Sequence, residues 1–192
     1  MKYHRAMLAF SIPTLLIVVA VYAYLQAQNQ PAQPQQSLTP SIMNISSSAF
    51  SHNGNIPSKY TCDGANISPP LSFSEVSPQT KSLALIVDDP DAPAKTWVHW
   101  LVWNIDPAAT GAEEGSAPSG SAPPVEGTTD FGQTGYGGPC PPSGTHRYYF
   151  KLYALDTTLE LDASATKPDL EATMQGHILD QVELIGLYER GD

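Results

Sequence analysis

The sequence predicts a mainly β domain, and three observations carry that reading. Eighteen prolines and fourteen glycines among 192 residues demand many turns and leave little room for long helices. Two apolar runs of strand length, "SLALIVDD" (82–89) and "VHWLVWNID" (98–106), are rich in β-branched and aromatic residues. A third stretch, "HRYYFKLYALD" (146–156), alternates in polarity with the period of a strand.

Taken in chain order, the first segment is a targeting signal rather than part of the fold. Lys2 and Arg5 precede an apolar run from Ala6 to Leu25. A run of that length is nearer a spanning helix of ~20 residues than a signal-peptide core of ~7–15. The best cleavage-like site, Leu25-Gln26-Ala27, lacks the small residue wanted three positions before the cut. Residues 1–27 are therefore expected to be a membrane anchor, the alternative being secretion after cleavage. The basic residues place the remainder outside the cytoplasm. Residues 28–40, "QNQPAQPQQSLTP", are polar and rich in Pro and Gln and read as a linker. The folded domain is expected over 41–192.

Within it, "SIMNISSSAF" is a first strand, and residues 51–76 are broken by Gly and Pro into turns and short extended pieces. The runs 82–89 and 98–106 look buried on both faces. Residues 107–138 form a connection much longer than usual, of the kind that is functional or mobile. In 146–156 the alternation puts His146, Tyr148, Phe150 and Leu152 on one face and Arg147, Tyr149, Lys151 and Tyr153 on the other. "TKPDLEATMQGHILD" (166–180) reads as a helix, with Pro168, Asp169 and Glu171 near its start and Leu170, Met174 and Ile178 at every fourth residue. "QVELIGLYER" (181–190) supplies the last strand.

Composition narrows the function. Nine basic against nineteen acidic residues give a formal charge of −10, and no basic stripe is present, so nucleic acid is not an expected partner. No Walker or dinucleotide loop and no G-x-S-x-G elbow occurs. Cys62 and Cys140 lie in no zinc-finger spacing. Two buried thiols and one disulfide are equally open from sequence, and the oxidising side of a membrane would allow the bridge.

The residues able to do chemistry are few. A period of two groups His99 with Leu101, Trp103 and Ile105. A buried histidine of that kind is ordinarily a hydrogen-bonded core residue, but His146 sits on an apolar-leaning face of its own. With Asp89 and Asp91 at a strand end, the two would form one polar cluster if their strands are neighbours. "GQTGYGGPCPPSGTH" (132–146) carries glycines whose N–H groups can line an anion site. Arg147 faces the opposite side of its strand, toward solvent or an ion pair, and His177 is assigned no role.

"DPDAP" (89–93), "HW" (99–100), "GYGGPCPP" (135–142), "HRYYFKLYALD" (146–156), "YTCDGANISPPLSF" (60–73) and "MQGHILDQVELIGLYER" (174–190) together resemble the phosphatidylethanolamine-binding protein family. The likeness is closer to its bacterial Raf-kinase-inhibitor-like branch and covers the chain from about Ser41 onward. It implies a β-sandwich of antiparallel sheets with few short helices and a small anion pocket lined by Asp89, Asp91, His99, Gly138 and His146. It implies no obligatory metal and no cofactor, and kinase regulation is not carried over. The expected function is a non-catalytic, extracytoplasmic binding protein for a small phosphate-bearing or acidic ligand. Two alternatives stand beside it: a metal-dependent hydrolase using the two histidines and a carboxylate, and a protein-interaction module, such as a protease inhibitor, acting through residues 107–138.

Overall fold

The structure is a computed structural model that describes residues 43–191. The expected anchor (1–27) and linker (28–40) lie outside the described residues. Nine strands follow in order: β1 (Asn44–Ser46), β2 (Gly54–Asn55), β3 (Leu71–Ser74), β4 (Ser82–Asp89), β5 (Trp97–Ile105), β6 (Gly111–Ala112), β7 (Val125–Glu126), β8 (His146–Leu155) and β9 (Ile178–Tyr188). Among the described residues one helix, α1 (Lys167–Met174), precedes β9, and one 3-10 turn spans Ser58–Tyr60.

The strands make two sheets, β1-β3-β6 and β2-β9-β8-β4-β5-β7. Pairing is antiparallel except between β2 and β9, which run parallel through Gly54 opposite Gly186. The apolar run of β4 is buried along its whole length because its two faces serve two cores. Leu83, Leu85 and Val87 join Trp100, Val102, Phe150 and Leu152 against Ile45, Leu71 and Phe73 of the smaller sheet. Ala84 and Ile86 join Leu101 and Trp103 beneath Leu159, Leu170 and Met174. A continuous hydrophobic run is what burial on both faces requires.

The helix is shorter than its periodicity suggests. A capping box between Thr166 and Asp169 starts it, with Pro168 in its first turn. It stops at Met174, and the chain reverses through Gly176, whose φ of 84° is a left-handed conformation glycine adopts without strain. Ile178, expected as the next buried helical position, instead begins β9 and is exposed. Leu170 and Met174 are buried as expected.

Candidate functional site

Four strand ends meet at one edge of the larger sheet. His146 opens β8 opposite Tyr188 at the end of β9, and Asp89 closes β4 opposite Trp97 at the start of β5. Asp89 points to the same side as Leu83, Leu85 and Val87, so it reaches the inner face at its rim. Its Oδ2 accepts a hydrogen bond from His146 Nδ1 at 2.7 Å, and its Oδ1 accepts from the Asp91 N–H at 2.8 Å. The second contact is an Asx turn, which explains the Asp-Pro-Asp sequence locally. Asp89 and His146 are 3% and 7% exposed, so the pair is buried.

His99 arrives by a route the strand period does not reveal. Val87 pairs with Trp100 but Asp88 pairs with Val98, which leaves His99 as the extra residue of a β-bulge. A bulge breaks the alternation and re-aims a side chain. His99 therefore does not share a face with Leu101 and Trp103, as the simple period suggested. It turns to the inner side, where its ring meets Tyr148 edge-on at 5.2 Å. Ile105 is also moved off the Leu101 face by a second shift, between the pairs Leu83–Ile105 and Leu85–Val102. Asn104, in that shift, has a φ of 56°.

The segment 127–137 completes the site. Far from hanging free, it runs beside β5, with Gly127 N–H donating to Leu101 O at 3.0 Å, Asp130 N–H to Val98 O at 3.2 Å and Gly137 N–H to His99 O at 2.9 Å. His99 Nδ1 donates back to Gly137 O at 2.6 Å, so Gly137 holds the histidine from both sides. Phe131 packs edge-on against Trp97 at 5.6 Å and His99 at 5.4 Å. A side chain at position 137 would begin 2.3 Å from the Phe131 ring, which is why glycine stands there. Sequence reasoning chose the neighbouring Gly138, whose N–H is directed elsewhere, to Asn66 Oδ1 at 2.8 Å.

These groups enclose a cavity of about 360 Å³ lined by Asp89, His99, His146 and Tyr148 with Trp97, Phe131, Pro93, Pro141 and other apolar groups. Asp91 is placed differently from expectation. Arg147 grips it from Nε at 2.8 Å and Nη2 at 2.6 Å, and the Arg147 N–H adds a third bond at 3.0 Å. That guanidinium holds the Asp91 carboxyl down to a pKa of about 2 and its own pKa is raised by the same pair. Asp91 thus braces the turn from outside while Asp89 alone supplies a carboxylate to the cavity.

The cavity's electrostatics follow from burial. Desolvation pushes His99 below its usual value, against the opposing pull of the Gly137 carbonyl and the Asp89 charge. Since Nδ1 carries the proton given to Gly137, neutral His99 offers Nε2 to the cavity as an acceptor. Tyr148 is 1% exposed, and its hydroxyl lies near Asp89 and the Cys140 backbone without a well-formed hydrogen bond to either. Burial first, then the Asp89 charge, keeps it protonated. A buried hydroxyl without a well-formed bond can turn to donate to a ligand atom. Tyr148 was legible as a face-mate of His146, two residues along β8, though not as a site residue. Cys140 also lines the cavity and is bonded to Cys62, with Cα atoms 5.4 Å apart. Among the described residues, no group of three or more His, Cys, Asp or Glu side chains is disposed to hold a metal ion.

The family model of the phosphatidylethanolamine-binding proteins matches residues 46–189. The chain belongs to that family. A UPF0098 protein of Methanothermobacter thermautotrophicus is 56% identical over 151 residues, covering 78% of this chain and 100% of the relative. Among solved structures, CT736 of Chlamydia trachomatis, described as a phosphatidylethanolamine-binding protein homologue, aligns with a TM-score of 0.74 at 44% identity, over 79% of this chain and 99% of that one. Escherichia coli YbcL, described as a member of the mammalian phosphatidylethanolamine-binding protein family, aligns at 0.72 and 31% identity, over 78% and 99%. The mainly β sandwich is thus the fold of the phosphatidylethanolamine-binding proteins, as the sequence implied.

Proposed function

We propose that this phosphatidylethanolamine-binding protein is a non-catalytic receptor for a small phosphate-bearing or otherwise anionic ligand, held between His99 and His146. The observation that carries the reading is the set of uncommitted groups converging on one cavity. Each histidine has its Nδ1 fixed, by Gly137 O and by Asp89, which leaves both Nε2 atoms and the Tyr148 hydroxyl for a ligand. A phosphate monoanion fits this set: its P–OH donates to His99 Nε2, and its other oxygens accept from Tyr148. A dianion fits less well, because Asp89 remains nearby and His99 has no second proton to give. Trp97, Phe131 and the prolines would cover the apolar part of a phosphoester.

Display outside the cell is part of the same proposal. It is supported by Lys2, Arg5 and the apolar run of residues 6–25, and by the Cys62–Cys140 bond, which suits an oxidising compartment. Among the described residues no helix is long and apolar enough to cross a membrane. The anchor is proposed for residues 1–27 alone. The two alternatives have less to stand on: the hydrolase finds no metal-ligand group among the described residues, and the cavity side of the 107–138 segment is tied to β5.

Calorimetry of the full chain in detergent, with inorganic phosphate and with phosphoethanolamine as titrants, tests the ligand reading. Removing a hydrogen bond to a charged group costs ~1.5–3 kcal/mol, so folded His99→Ala and His146→Ala proteins should bind on the order of tenfold to a hundredfold more weakly. Affinity should tighten as pH falls from about 8 to about 6, since a phosphoester gains its second proton near pH 6 and His99 becomes a donor if it charges. Unchanged affinity in both folded variants would reduce the cluster to a structural role.

A further inference from the structure

At the opposite end of β8 and β9 from the cavity, the sheet carries a further bulge. Ala154 pairs with Asp180 but Leu155 pairs with Ile178, which makes Leu179 the extra residue. In a regular strand Ile178 and Leu179 would point to opposite faces. Here both lie in the open, each 42% exposed. Single exposed aliphatics are ordinary. Two in succession, kept outward by a break in the ladder, call for an explanation.

The path of the chain supplies one. The described chain begins at Met43, whose N–H donates to Asp180 Oδ2 at 3.4 Å. The first described residue thus stands beside this pair. We propose that Ile178 and Leu179 form a foot that seats on the surface of the bilayer in which residues 1–27 are anchored. This rests on the anchor reading of the proposed function. Residues 28–42 span at most roughly 50 Å even when fully extended, which holds the foot at high effective concentration near the lipid. Asp180 and the Asp156–His177 pair, at 2.8 Å, flank the foot, and the net charge is −10. The favoured surface is therefore a zwitterionic bilayer rather than an anionic one.

The consequence reaches the cavity. His146 and Leu155 bound the ten-residue β8, whose length is roughly 30 Å. A foot at the Leu155 end turns the cavity mouth away from the membrane. The ligand is then captured from the aqueous side, not as a headgroup of the supporting bilayer.

The test reconstitutes the full chain in phosphatidylcholine vesicles with brominated acyl chains and reads tryptophan quenching. Leu179→Trp is compared with Ser143→Trp at the cavity end and with the unmodified protein. Vesicle flotation reports the anchor independently. Flotation with quenching confined to the tryptophan at 179 is the expected result. Flotation without that quenching, or with equal quenching at 143, leaves the anchor standing and overturns the foot. Failure to float overturns both. Shielding of the tryptophan at 179 that follows protein concentration rather than lipid would assign the pair to a second copy and also overturn the proposal.

Discussion

Phe131 and Leu179 are exposed to nearly the same extent, 41% and 42%, at opposite ends of the larger sheet, and the equality is misleading. Phe131 covers the cavity: its ring leans on Trp97 and His99, and Gly137 is bare to admit it. Leu179 leans on nothing comparable. Each end also contains a bulge, and the same local device serves opposite purposes. At His99 the extra residue turns a polar side chain into the protein, where Gly137 meets it. At Leu179 the extra residue leaves apolar side chains facing out. A bulge sets direction, and what lies opposite decides whether that direction means a site or a surface.

The contrast is sharpest in stability. The cavity end is fastened by the Cys62–Cys140 bond, by Cys62 N–H donating to Pro139 O at 3.1 Å and by Gly138 N–H on Asn66. Closing a loop over a sequence separation of 78 residues is worth about 4.5 kcal/mol in the chain-entropy account. Replacing both cysteines by serine should lower the unfolding free energy by an amount near that, read as a lower urea midpoint. An unmoved midpoint would mean that the noncovalent bonds alone fasten this end.

A smaller effect separates the two acids of the turn. Arg147→Ala should destabilise the protein only slightly, because the Asp91 pair is solvent-screened. It should also raise Asp91 from about 2 toward its ordinary value, as read by carboxyl NMR. Phosphate affinity should change little, since Asp91 braces the turn from outside the cavity. A loss as large as that from His146→Ala would place Asp91 in the ligand's own shell and erase the distinction from Asp89.

Acid should weaken the cavity end in two stages. His99 has a folded-state pKa below its usual value of 6.5, chiefly from burial. The unfolded chain therefore takes up that proton first, and stability declines as pH falls from about 6.5 toward the folded value. Asp91 contributes stability that is present above its ordinary value of 3.8 and is lost as pH falls toward about 2. Denaturation midpoints across pH should show the first decline in the parent and not in His99→Gln. The same slope in both would move its origin elsewhere.

Which of this was legible in the sequence depended on how local the signal was. β4, β5 and β8 declared themselves, because burial on two faces and alternation are written in consecutive residues. Asp89, His99 and His146 were named from their strand positions and again through the family resemblance, but their meeting depends on strand order, and His99 also needs a bulge that only the partner strand defines. Gly137 and Gly138 differ by one position, and nothing in "GYGGPC" says which of them meets His99. Ile178 was different: Gly176 stood in the sequence as a stop, and the fourfold apolar repeat outweighed it. The long 107–138 connection looked loose because its anchors are backbone bonds, to β3 through β6 and to β5 through the segment after β7, which leave no mark on composition.

The smallest predicted effect is the one that separates the ends by a matched pair of substitutions. Phe131→Ser removes a ring that makes two edge-on aromatic contacts, each of a kind worth ~0.5–1.5 kcal/mol beyond its area. It should destabilise the protein by at least about 1 kcal/mol and weaken phosphate binding through His99. Leu179→Ser removes a side chain that is already largely in water, so stability should stay within about 0.5 kcal/mol of the parent and phosphate affinity should not move. What Leu179→Ser should change is lipid contact alone, seen as a loss of protection of the β9 amides near Ile178 when vesicles are present. Equal destabilisation by the two substitutions would make Leu179 a packed residue after all. The outward bulge would then be a detail of the core and not a surface held open for a partner.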